Sequence, residues 1–294
     1  MSDRAETRLN VLKTYKLYVG GKFPRSESGR VYEVTAAKSG EWLANAPLAS
    51  RKDARDAVVA ARKAFGGWSG ATAYNRGQVL YRVAEMLEGR REQFASEVAA
   101  GEGLSRAKSL AQVDAAIDRW VWYAGWSDKI AQVAGGANPV AGPFFNLSTP
   151  EPTGVVAVLA PQDSSLLGLV SVLAPVIVTG STAVVVASER APLPALSLAE
   201  VLATSDVPGG VVNVLSGRTA EIARPLAAHQ DVNALDLAGA AGDAGLATEL
   251  EVAAADNLKR VVRPSGAADW TADPGTDRLL SFLETKTVWH PIGA

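Results

Sequence analysis

Apolar positions follow two different rhythms along this 294-residue chain. In the first half they recur at helical spacing. Ser50, with Asp53 three residues on, marks a helix start, and Ala54, Val58, Ala61 and Phe65 share one face before Gly66-Gly67 stops it. A second helix over about Arg76–Leu87 turns Val79, Leu80, Val83 and Leu87 inward, and Phe94 and Val98 carry a third as far as Gly101–Gly103. A long helix then covers about Arg106–Val133 on Val113, Ile117, Trp120, Val121, Ala124 and Ile130. Its aromatic group Trp120, Trp122, Tyr123 and Trp126 reads as packing rather than as a ligand platform. Ahead of these helices, alternation around Gly20-Gly21 in YKLYVGGKFPRSESGRVYEV predicts two short strands in a hairpin.

From Gly154 the rhythm changes to short, wholly apolar runs separated by helical stretches. GVVAVLA suits a central parallel strand, because such strands are covered on both faces and need no polar alternation. Strands follow at Thr182–Ala187, Gly210–Leu215, Val232–Leu237 and Lys259–Val262. Helices lie between them at Ser164–Val178, Pro192–Thr204, Thr219–Ala228 and Ala244–Ala255. The first of these is expected to break near Pro175, and Ser164 or Ser165 to cap its start. Alternation of this kind implies right-handed crossovers and an α/β fold with a doubly wound parallel sheet. Gly135–Pro150 reads as a loop running into a strand near Phe144–Ser148. After Val262, RPSGAADWTADPGTD has no period and is rich in turn formers, the texture of a linker. The tail LLSFLETKTVWHPIGA then predicts a strand over Phe282–Trp289.

Composition narrows the function. Hydrophobic residues make up 48% and charged residues 20%, a globular balance. A net charge of −2 supplies no electrostatic footprint for nucleic acid. The polar start MSDRAETRLN has no apolar core of a signal peptide, and Leu166–Val178 is too short for a bilayer, so a cytoplasmic protein is expected. There is no cysteine, which excludes disulfides and thiolate metal sites, and no metal-spaced cluster is visible. His229 and His290 stand apart from any serine or acid at useful spacing, so each reads as a surface or capping residue.

The phrases YVGGKF, DAVVAARKAFGGW, EPTGVVAVLAP, PLPALSLAEVLATSDVPGGVVNVLSG and NLKRV together resemble the NAD(P)-dependent aldehyde dehydrogenase superfamily over about Tyr15–Val262. The tail FLETKTVWHP resembles that family's last strand, which pairs across a subunit interface. The resemblance implies a Rossmann-like cofactor-binding domain over residues 1–264, including N-terminal helices and a hairpin arm near 138–150. A linker at 265–280 and an oligomerisation strand at 281–294 follow. The family's separate catalytic domain has no counterpart between NLKRV and the tail.

Position by position, the resemblance implies lost chemistry. The family attacks the aldehyde with a cysteine thiolate, and this chain has none. Where the family carries Trp-Asn, whose amide binds the oxyanion, the chain reads Gln162-Asp163. A carboxylate there opposes a developing oxyanion by roughly 4 kcal/mol at about 4 Å and an effective dielectric near 20. Where the family carries its general-base Glu, the chain has Pro264, followed by Ser265-Gly266. No catalytic residue is carried over.

Cofactor contacts map onto Ala160, Pro161, Glu189, Gly217 and Gly239, but in weakened form. The family's Lys-Pro-Ser-Glu, which holds the adenosine ribose, reads Val186-Ala187-Ser188-Glu189, and its Phe-Thr-Gly-Ser turn reads Leu237-Ala238-Gly239-Ala240. A lost charged hydrogen bond costs about 1.5–3 kcal/mol. That is roughly ten- to a hundredfold in affinity, so NAD or NADP binding is expected to be weak at best. The leading expectation is a pseudoenzyme: a non-catalytic structural or regulatory subunit of a full-length aldehyde dehydrogenase paralogue, or of a homo-oligomer. A residual NAD(P)-binding regulatory module is the alternative, with an active oxidoreductase of reduced size or a decayed fragment behind it. A lone copy is expected to leave the FLETKTVW strand exposed, an aggregation liability that a complete paralogue relieves by accepting it.

Overall fold

Five parallel strands form the centre of the protein, whose computed structural model describes residues 11–264 and 268–292. They are β5 (Val155–Leu159), β6 (Thr182–Val186), β7 (Val212–Leu215), β8 (Ala234–Asp236) and β9 (Arg260–Val262), in the order β7-β6-β5-β8-β9. Every residue of β5, β6, β7 and β8 is buried, which explains why these runs show no polar alternation.

The pleat sends alternate residues to two separate cores. Val156, Val158 and Ala160 enter the larger one, beneath α2 (Ala73–Glu88), α3 (Arg91–Glu102), α4 (Arg106–Trp126), α6 (Leu167–Val178) and α7 (Leu193–Ala203). Val155, Ala157 and Leu159 enter the smaller one, beneath α1 (Arg51–Ser69), α8 (Thr219–Ala227) and α9 (Ala244–Ala255). Helices on both faces make the sheet doubly wound, as the alternation of elements predicts. Trp120 and Tyr123 are buried core residues, while Trp122 and Trp126 pack against them from the rim.

Several boundaries differ from expectation, each for a packing reason. The helix expected to stop at Gly66-Gly67 continues to Ser69, because Trp68 is buried and its indole N–H donates to the Ile177 carbonyl at 2.9 Å. Its start is as read: Ser50 accepts from the Asp53 N–H, and the Asp53 carboxylate accepts from the Ser50 N–H. The long helix divides at Ser127–Lys129, and a short α5 (Ile130–Ala134) follows. Ser127 is buried where α2 crosses closely: a Cβ on Gly77 would lie 2.4 Å from its Oγ. Pro175 does not break α6, since all twelve residues of that helix are buried and packing offsets the roughly 3 kcal/mol a mid-helix proline costs. Leu166 holds the N-cap position without a side-chain bond, and Ser164, two residues earlier, accepts from the Gly168 N–H of the first turn at 2.9 Å.

The expected N-terminal hairpin is replaced by two arrangements. Tyr18 bridges to Val214 at the edge of the sheet, with a tight turn through Gly20 and Gly21 behind it. The paired strands lie further on, as β1 (Val31–Thr35) and β2 (Trp42–Pro47).

A second sheet projects from the N-terminal side of β5. It contains β3 (Gly136–Ala137), β4 (Phe144–Pro152) and β10 (Leu283–Pro291), in the order β10-β4-β3. Leu283 through Pro291 pair antiparallel with Pro152 through Phe144. β4 pairs with the tail strand along its whole length, while the residues of β10 after Leu283 are exposed and its outer edge is open among the described residues.

The segment read as a linker is also structured where it is described. Its residues 265–267 lie outside the described set. Beyond them, Arg119 donates to the carbonyls of Trp270 and Ala272, and α10 (Asp277–Leu280) buries Leu279 against α6. Phe282 is fully buried as well.

Candidate functional site

In a sheet of this kind, ligands bind beyond the carboxyl ends of the strands, where the strand order reverses. Here that place lies between β5 and β8. Four of the five residues matched to cofactor contacts follow strands at this edge. Ala160 follows β5, Glu189 follows β6, Gly217 follows β7 and Gly239 follows β8. Pro161 is buried instead against the first turn of α6, where a Cβ on Gly168 would meet its ring at 3.0 Å.

Gly239 sits in a single 3-10 turn, Ala238–Ala240, pressed on the end of β5. A Cβ there would stand 2.4 Å from the Ala160 carbonyl oxygen, so strand-to-turn packing by itself demands glycine. Gly217 has φ +144 and faces the backbone N–H of Ala49 and the Ile222 side chain. Neither glycine marks a cradle left open for a ligand.

The polar groups of the crevice bond to one another. Glu189 accepts from the Arg218 guanidinium at 2.6 Å and from the Thr219 N–H, in the first turn of α8, at 2.9 Å. Arg218 lies 5.8 Å from the centre of the Tyr32 ring. The Gln162 amide spans the gap between strand ends. Its Nε2 donates to the Ala160 carbonyl at 3.1 Å and to Thr219 Oγ1 at 3.4 Å. Its Oε1 accepts from the Glu189 N–H at 2.9 Å and from the Ser188 hydroxyl at 3.4 Å. Both amide donors and one acceptor site are engaged, and the single Ser188 proton is shared between Oε1 and the Gln162 main-chain carbonyl. Val186 is fully buried and brings no polar atom to this edge.

This donor set does not fit a bound dinucleotide as it stands. The carboxylate matched by resemblance to the ribose contact, Glu189, is paired with Arg218 and the Thr219 N–H, and the Gln162 side chain crosses between the strand ends. Five other clefts on the described surface, of about 290 to 660 Å³, are lined elsewhere.

Around the crevice the remaining candidates are placed apart. Asp163 is exposed on the turn after β5. Ser165 donates through both its N–H and its hydroxyl to Glu102, at 2.7 and 2.6 Å. Burial pushes the Glu102 carboxyl above its ordinary range, against the pull of those two bonds, and the Asp163 charge adds to the rise. Pro264 is half-buried after β9, while Ser265 and Gly266 fall outside the described residues. His229 follows the C-cap of α8 and accepts from the Asp231 N–H, and His290 is exposed on β10. No group of His, Cys, Asp and Glu suited to a metal occurs among the described residues. Nor is any helix there long and apolar enough to cross a membrane.

Two polar features near the crevice escape sequence reasoning. One is the Gln162 bridge, whose partners lie 27 and 57 residues away. The other is Asp236, wholly buried at the end of β8 and ion-paired with Arg278 of α10. Burial pushes this carboxyl up, against the opposing pull of Arg278. A lone carboxylate within the apolar run ALDLAG was the available signal.

Comparison with known proteins agrees with this architecture. The model of the aldehyde dehydrogenase family matches residues 23–271. The chain is 32% identical to the putative aldehyde dehydrogenase DhaS of Bacillus subtilis over 273 residues, 90% of this chain and 53% of that protein. Among solved structures, HpcC from Thermus thermophilus superposes with a TM-score of 0.80 at 28% identity, over 85% of this chain and 47% of the other. The NAD+ complex of an aldehyde dehydrogenase from Bacillus cereus gives 0.78 at 26%, over 85% and 50%. The chain thus spans about half the length of these relatives. With strand order, crevice and sequence in agreement over residues 23–271, the chain belongs to the aldehyde dehydrogenase family.

Proposed function

We propose that this chain is a non-catalytic subunit, structural or regulatory, that assembles in the cytoplasm with a complete aldehyde dehydrogenase through its three-stranded arm. The observation that carries the reading is the outer edge of β10: nine residues long, without a strand beside it among the described residues, and bearing exposed Val288 and Trp289. A long open edge with apolar side chains is an aggregation liability unless another chain covers it. Pairing with a strand of a partner removes the liability and supplies main-chain affinity. The chemistry points the same way. The sequence holds no cysteine thiolate to form the covalent adduct, and Asp163 and Pro264 stand where the family's amide and base belong.

Co-expression with a full-length paralogue, followed by size-exclusion chromatography with light scattering, tests this. Both chains are expected in one peak. Truncation after Leu283 keeps Phe282 and Leu283 in the core and removes the strand, so it is expected to abolish the complex. Assembly unaffected by that truncation overturns the arm as the contact. A purified chain that assembles only with itself moves the reading to a homo-oligomer, and NADH production from an aldehyde by the chain alone refutes the non-catalytic assignment.

A further inference from the structure

The family fold offers a dinucleotide crevice, yet the side chains lining it here satisfy one another. Three loops meet at this edge, following β5, β6 and β7, and a nucleotide has to lie among them to reach Glu189. Gln162 ties all three together: its amide bonds to Ala160 after β5, to Ser188 and Glu189 after β6, and to Thr219 after β7. The Gln162 main-chain carbonyl, 3.3 Å from the Ser188 hydroxyl, shares that one proton with the amide oxygen.

Glu189 completes the closure. Its two carboxylate oxygens are divided between Arg218 and the Thr219 N–H. An N–H in the first turn of a helix is a natural site for an anion, and here an internal anion takes it. Arg218 is in turn steadied over the Tyr32 ring, so the strap that holds Glu189 is itself held.

We infer that Gln162 is a latch that keeps the nucleotide crevice closed in this chain, with the Arg218–Glu189 pair as its second catch. A nucleotide enters only if the Gln162 amide swings away and Glu189 exchanges Arg218 for ribose hydroxyls. The low affinity expected of this chain then comes from competition by its own side chains, on top of the substitutions at Val186 and Ala240. The inference rests on the chain's membership of the family and is independent of the partner reading, because it is tested on the isolated chain.

The experiment is a titration with NAD+ followed by tryptophan fluorescence and isothermal calorimetry, on the unaltered chain, Gln162→Ala, Gln162→Asn and Arg218→Ser. Asparagine keeps the amide but is one methylene too short to reach from Ala160 to Glu189, so it guards against a folding defect in the alanine variant. Circular dichroism and thermal melting confirm that each variant is folded. Both Gln162 variants are expected to bind NAD+ at least tenfold more tightly than the unaltered chain, and Arg218→Ser to show a smaller gain. Adding Glu189→Ala to Gln162→Ala is expected to cancel the gain, since the nucleotide, once admitted, uses the carboxylate that Arg218 and the Thr219 N–H hold in the closed crevice. Unchanged or weaker binding in folded Gln162 variants, including no measurable binding by any of them, overturns the latch. So does binding by the unaltered chain with a Kd below about 10 µM.

Discussion

The crevice at the carboxyl edge of the main sheet and the arm at its opposite side treat their hydrogen-bonding capacity in opposite ways. In the crevice, Gln162, Glu189, Arg218 and Thr219 close on one another. In the arm, β10 is paired on one side by β4 and open on the other among the described residues. A region that satisfies itself has little left for a ligand, while an open strand edge has main-chain groups to spare. Within one chain, the polar side chains of the crevice are turned on one another, and a main-chain edge of the arm is left outward.

The sharpest way to break this comparison is at the base of the crevice strands. Replacing Asp236 or Arg278 singly by alanine leaves its partner without an ion pair where Asp236 is wholly buried. Either change is expected to cost about 3–5 kcal/mol of stability in denaturant unfolding. Changing both together, to leucine and methionine, is expected to restore most of that. A single-variant loss under about 1 kcal/mol would mean that water reaches the pair.

Next comes Glu102, which holds the turn after β5 through Ser165. Glu102→Gln removes a charged acceptor from two bonds and is expected to lower stability by roughly 1.5–3 kcal/mol, read by the same unfolding measurement. Crevice residues should therefore be costly to alter even without any ligand. The arm should behave in the reverse manner. Trp289 is more than half exposed and touches Phe144 edge-on at 5.7 Å. Trp289→Ser is expected to cost about 1 kcal/mol of stability while weakening assembly with a partner at least tenfold. A large stability loss with intact assembly would show that the arm serves the fold rather than contact.

The smallest effect lies at His229, outside both regions, just past α8. Burial holds its imidazole below the ordinary 6.5, with Asp231 opposing and Lys259 and Arg62 reinforcing. Below pH 6.5 the unfolded chain takes up the proton more readily than the folded one, so stability falls as pH drops through that window. His229→Gln is expected to flatten slightly the dependence of melting temperature on pH between about 5.5 and 7.5, as read by scanning calorimetry.

Much of the frame was legible in the chain itself. The Ser50–Asp53 capping box is a local device, set by residues three apart. The apolar runs of β5 and β6 state their own burial, because only a strand covered on both faces can omit polar positions. Ala160, Glu189, Gly217 and Gly239, matched by resemblance, each follow a strand of the main sheet. The helix boundaries at Ser69 and Ser127 were not legible, since Trp68 and Gly77 act through partners on other elements.

What only the tertiary structure decided is which polar groups meet. Glu189 stands in the sequence as one carboxylate among many, and it is closed off by a residue 29 positions away. Arg278 stands in a stretch without period, and its role comes from Asp236, 42 positions earlier. The tail strand reads as β in either setting, but its pairing with β4 depends on where the chain returns after α10. Apolar burial is additive and local enough to be read along a chain. Hydrogen bonds and ion pairs need two groups within about 3 Å in a defined geometry, and only the folded backbone brings such groups together.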